Sequence, residues 1–118
     1  MKLGLITSIC EGMTFEEVVD FAAENGLECL EVACWPQGGA NRRYAGVSHI
    51  DVADLTEAKA KEIKDLCAKK GVEISALAHY PNTMDPDLEK RAGYIAHLYK
   101  LIDASAMLDV NMVTTFVG

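Results

Sequence analysis

The sequence is short of basic residues: 11 Lys and Arg stand against 18 Asp and Glu, a formal net charge of −7 over 118 residues. Each neutralised phosphate needs a Lys or Arg, so this balance argues against nucleic acid and anionic membrane as partners. No apolar run approaches the ~20 residues that cross a bilayer. Met1 to Ile9 also lacks the long apolar core of a signal peptide, so a cytoplasmic chain is expected. The four cysteines, Cys10, Cys29, Cys34 and Cys67, form no CxxC pair and no zinc-finger spacing. The expectation is reduced thiols packed as small apolar groups, with neither disulfide nor zinc.

What remains is half hydrophobic. A chain of this size buries roughly two-thirds of its unfolded surface, which suits a folded domain and excludes disorder as its main state. Along the chain one pattern repeats. Short apolar runs over about 2–7, 28–33, 72–78 and 110–116 read as buried strands, and helical periodicity covers about 14–25, 55–70 and 86–107. Thr14 with Glu17 forms a capping box for the first helix, whose core face is Phe15, Val18, Val19 and Ala22, and Asn25-Gly26 stops it. In the second helix Ala60, Ile63, Leu66 and Cys67 face the core and Gly71 ends it. The third is capped by Asp85-Pro86, with Ile95, Leu98, Tyr99, Ile102 and Ala106 as its core stripe and His97 on the surface.

The order βαβαβαβ, with each helix returning within a few residues to a new strand, predicts parallel crossovers and an α/β fold. Residues 1–118 then form a single partial domain. Turns leading into strands are minimal, whereas those leaving strands are long and hold Glu11, Trp35, His49, His79 and Asn82, so the chemistry is expected at the strands' C-terminal ends. Both an open doubly wound sheet and part of a (β/α)8 barrel place their sites there. Ser8-Ile9-Cys10-Glu11-Gly12-Met13 stands where a nucleotide-binding sheet would carry GxGxxG, which favours the N-terminal half of a (β/α)8 barrel.

Several stretches, in order, resemble the sugar phosphate isomerase/epimerase family, the xylose-isomerase-like TIM barrels that also include endonuclease-IV-type enzymes. They are Lys2-Leu3-Gly4-Leu5 with Phe15-Glu16-Glu17, Leu30 to Pro36, Ser48-His49-Ile50-Asp51, Gly71 to Asn82, Met84-Asp85-Pro86-Asp87 and Val113 to Gly118. The resemblance implies a metal-dependent isomerase or epimerase acting on a sugar or sugar phosphate. It also implies a divalent metal and proton-moving carboxylates on later strands, with no metal held by this segment alone. An activity carried by the isolated segment is therefore not expected. The remaining half of the barrel, or a second copy, would be needed to cover the open sheet. A non-catalytic half-barrel that binds a small polyol or a protein is the second reading, and an endonuclease-IV-type nuclease is a distant third.

The candidate substrate-binding residues are Glu31, Trp35, His49, His79 and Asn82. Alternation with Cys29 and Ala33, opposite the bulkier Leu30 and Val32, turns Glu31 inward, where it serves either as pocket carboxylate or as a paired buried polar group. Trp35 would stack on a sugar ring or plug the barrel top. His79, at the end of the third strand, would bond a sugar hydroxyl, ligate a metal or be structural. His49 would reach the same mouth or stay solvated, Asn82 would touch substrate or order its turn, and Arg42 and Arg43 would bind a phosphate or face solvent.

Overall fold

In a computed structural model, which describes residues 1–38 and 46–118, the four strands form one parallel sheet in the order β1-β2-β3-β4. The strands are β1 (Gly4–Ile6), β2 (Cys29–Ala33), β3 (Glu73–Ala78) and β4 (Val113–Thr114). Between them lie α1 (Phe15–Glu24), α2 (Glu57–Lys70) and α3 (Leu88–Met107), and a single 3-10 turn, Thr7–Ile9, follows β1. An open doubly wound sheet reverses its strand order, putting helices on both faces. Sequential order keeps the crossovers on one face, as a barrel does.

Local chemistry sets the helix ends. Thr14 Oγ1 accepts from Glu17 N at 3.2 Å while Glu17 Oε2 accepts from Thr14 N at 2.8 Å, the expected capping box. Thr14→Ala would lose the first of these bonds and cost about 1 kcal/mol in chemical denaturation. Gly71 ends α2 in the left-handed conformation at φ 68°, where a side chain would be strained. The cap of α3 differs from the expectation: Asp87, not Asp85, accepts from Glu89 N and Lys90 N, and Asp85 accepts from Asp87 N. Two successive Asx turns thus share the entry, and the helix starts after the second.

The core lies between sheet and helices. Leu30, Val32 and Leu77 from the strands meet Val18, Val19 and Ala22 of α1, Ala60 of α2 and Leu101 and Ala104 of α3, all at most 1% exposed. The expected stripe of α3 is displaced around the helix. His97, Leu101 and Ala104 are its buried residues, whereas Ile95, Tyr99 and Ile102 are 37, 64 and 47% exposed. This helix carries apolar residues on two faces, and the sheet selects the one whose polar member can be paired. His97, expected on the surface, is buried with its Nε2 2.7 Å from the Cys34 carbonyl.

The register carries one irregularity. Leu30 pairs with Ile74 but Glu31 pairs with Ala76, so Ser75 is an extra residue on β3, its Oγ donating to Leu30 O at 3.1 Å. Among the described residues no helix is long and apolar enough to cross a membrane.

Candidate active site at the strand ends

Because Leu30 and Val32 point at the helices, Glu31 points to the other, concave face. There Gly4, Leu5, Ile6, Cys29, Glu31 and Ser75 line an open hollow of about 320 Å³. A larger hollow, about 640 Å³, lies at the opposite end of β3 around Lys64, Gly71 and Asp109. Sites in parallel α/β sheets lie at the strands' C-terminal ends, and the inward carboxylate lies near that end, so the smaller hollow is the candidate.

Two hydroxyls converge on Glu31. Thr114 Oγ1 on β4 donates to Glu31 Oε1 at 2.7 Å, and the phenol of Tyr80, just past β3, donates to the same oxygen. The two hydroxyl oxygens are 2.9 Å apart. One carboxylate thereby ties the middle of β2 to the C-terminal ends of β3 and β4. Burial, then the Glu31 carboxylate, raise the Tyr80 pKa above its usual 10, so the phenol stays protonated and remains a donor. Phe116 packs on the Tyr80 ring at 4.8 Å between centroids, steadying it. Oε2 of Glu31 has no hydrogen-bond partner among the described residues and is available to a ligand hydroxyl. Neither Tyr80 nor Thr114 is singled out by the sequence.

A second group anchors the other side of the mouth. Thr7, fully buried, accepts from Ala33 N at 2.9 Å and directs its hydroxyl at His49 Nδ1, also at 2.9 Å, leaving Nε2–H to donate to Cys10 O at 3.2 Å. His49 is therefore half-buried and paired, and burial lowers its pKa below 6.5. The loop holding it returns to the sheet through an antiparallel bridge, Cys34 with Ser48, and through His49 N donating to Ala33 O at 2.9 Å. Thr7→Val would leave the Ala33 N–H buried without an acceptor, an expected loss of about 1–3 kcal/mol in urea unfolding.

The remaining candidates fall elsewhere. His79 is wholly buried, edge-on to Trp35 at 4.7 Å and to His97 at 4.7 Å. Asn82 is exposed and accepts from Met84 N at 3.0 Å, an Asx turn that orders the β3–α3 loop. Arg42 and Arg43 lie outside the described residues. Among the described residues no three or more His, Cys, Asp or Glu side chains come together to hold a metal ion.

Solved structures share this fold. A probable 3-DHS dehydratase, AsbF, of Bacillus anthracis, involved in petrobactin synthesis, superimposes with a TM-score of 0.65 at 23% identity, covering 100% of this chain and 39% of that one. D-psicose 3-epimerase of Clostridium cellulolyticum H10 gives 0.65 at 18% identity, covering 98% of this chain and 37% of that one. A xylose isomerase domain protein of Planctomyces limnophilus gives 0.61 at 15%, covering 95% and 39%. The chain thus spans less than two-fifths of the length of these structures. No curated protein matches it. The family model described as xylose isomerase-like TIM barrel matches residues 19–118, and the four-strand sheet with sequential order is the corresponding half of such a barrel: the chain belongs to the xylose isomerase-like TIM barrel family.

Proposed function

We propose that these residues form the N-terminal half of a metal-dependent sugar or sugar-phosphate isomerase or epimerase, and that they supply part of its substrate pocket. The observation that carries this reading is Glu31, an inward carboxylate of β2 held by Tyr80 and Thr114 from the C-terminal ends of the next two strands. A carboxylate with one oxygen committed to the protein and one open accepts a hydroxyl of a polyol in a fixed orientation. A phenol held protonated beside it donates to a carbonyl or hydroxyl oxygen. Trp35 would wall the mouth, His49 and Asn82 would hold the flanking loops, and His79 would act through Trp35. The divalent cation implied by the resemblance would lie on carboxylates and imidazoles of the remaining half of the barrel.

That remaining half would also cover what is apolar and open here. Ile95, Tyr99 and Ile102 on α3, with Met112 and Phe116, are 37–64% exposed, and the dehydratase and epimerase structures of this fold are more than twice as long as this chain.

The test uses the full-length protein with manganese or magnesium and a panel of ketoses, aldoses and their phosphates, following isomer formation by NMR. Glu31→Gln is expected to lower kcat/KM about tenfold, ~1.4 kcal/mol of transition-state stabilisation. Wild-type turnover with an unchanged Glu31→Gln rate would remove Glu31 from the pocket, and binding without turnover across the panel would favour the half-barrel binding module.

A further inference from the structure

We propose that His79 is a protonation switch for Trp35: the neutral imidazole seats the indole against the end of the sheet, and the imidazolium releases it. The geometry is independent of the reaction. His79 is 0% exposed and, among the described residues, neither Nδ1 nor Nε2 has a hydrogen-bond partner. Its ring is held between two others, Trp35 at 4.7 Å and 86° and His97 at 4.7 Å and 76°. His97 also bonds the carbonyl of Cys34, the residue before Trp35, so one histidine holds the backbone of this segment and the other its ring.

A third unpartnered atom lies beside them. His79 N donates to Thr114 O, which continues the β3–β4 register and brings Thr115 alongside, and Thr115 Oγ1 is likewise buried without a partner. An imidazolium needs acceptors for two N–H groups, and no described residue provides one. Among the described residues the rings against His79 are His97 from α3, a like charge when protonated, and Trp35; neither Trp35 nor Thr115, next in the β4 register, ionises in this range. The nearby thiol of Cys34, pushed up to about 12 by burial, stays neutral. Glu31 and Tyr80 belong to the concave side of the sheet. The indole can offset only part of the desolvation of a buried cation. In keeping with this, burial and then His97 hold the His79 pKa down at about 4. The charged form is therefore reached by leaving the stack, and Trp35 loses its seat.

Trp35 is the sole tryptophan of these residues, so its emission reports the event. The experiment is a fluorescence titration of the full-length protein from about pH 8 to about pH 3.5, with Trp35→Phe as blank and far-UV circular dichroism in parallel. The expected result is a shift in Trp35 emission with a midpoint near pH 4, before the secondary structure is lost, and its absence in His79→Phe. His97→Gln keeps a donor for the Cys34 carbonyl and removes the second imidazole, so its midpoint should move upward. If His79→Phe does not fold, the His97→Gln shift decides. A transition near pH 6.5, one that survives in His79→Phe, one unmoved in His97→Gln, or one coincident with unfolding would overturn the proposal.

Discussion

Between pH 6.5 and pH 4 the protein should lose about 3 kcal/mol of stability through His79 alone, from a pKa lowered from 6.5 to about 4 at ~1.36 kcal/mol per unit. The sign follows from which state binds the proton. The unfolded imidazole takes it up as the pH falls through 6.5, whereas the folded one, buried without acceptors, resists until about 4. Stability from this group is complete above 6.5 and is lost progressively below it. His49, lowered by burial in the same direction, adds to the slope. Asp54, paired with Lys59, contributes at lower pH because its folded pKa is depressed by that lysine. Urea unfolding at pH 7 and pH 5, wild type against His79→Phe, isolates the histidine. A phenylalanine fills the same stack and removes two unpartnered nitrogens, so the variant should be at least as stable at pH 7 and clearly more stable at pH 5. Equal slopes in the two proteins would show that His79 is hydrated in the native state.

The same histidine shows where the sequence is legible and where it is not. The succession of strands and helices, the capping box at Thr14 and the glycine stop at Gly71 depend on neighbours within a few positions, and each can be read directly. Glu31 could be placed inward because β2 alternates cleanly and two large residues fix its outer face. On β3 alternation is broken at Ser75 by an extra residue that nothing in Glu73 to Ala78 announces, so Tyr80, not His79, reaches Glu31. The α3 stripe fails for a related reason. Apolar residues lie on two of its faces, and the choice rests on an acceptor, the Cys34 carbonyl, 63 residues away. Thr114 is similar: a hydroxyl on a two-residue strand carries no periodic signal, and its role appears only once β2 and β4 flank β3. Local signals set the elements, while long-range polar pairing decides which side chains meet.

Gly4→Val should cost more than ~3 kcal/mol and disturb the hollow beside Glu31, a larger effect than most overpacking because the obstacle is backbone. A Cβ at position 4 would sit 2.5 Å from Cys29 Sγ and closer still to the Cys29 carbonyl oxygen. A thiol can rotate away, but that oxygen belongs to the strand paired with β1, where Gly4 and Cys29 are register partners. Relief therefore requires β1 to move off β2. The movement would be resisted at the far end of β1, where Thr7 accepts from Ala33 N, and in the core, where Leu5 packs. Strain would then pass along β2 to Glu31, two positions beyond Cys29 on the same face. Alanine at position 4 meets the same oxygen and is expected to lose about 1–3 kcal/mol. Paired with Cys29→Ala, the valine variant should recover little if the carbonyl is the obstacle and much if the thiol is, so the double-mutant coupling energy separates a backbone clash from a side-chain one.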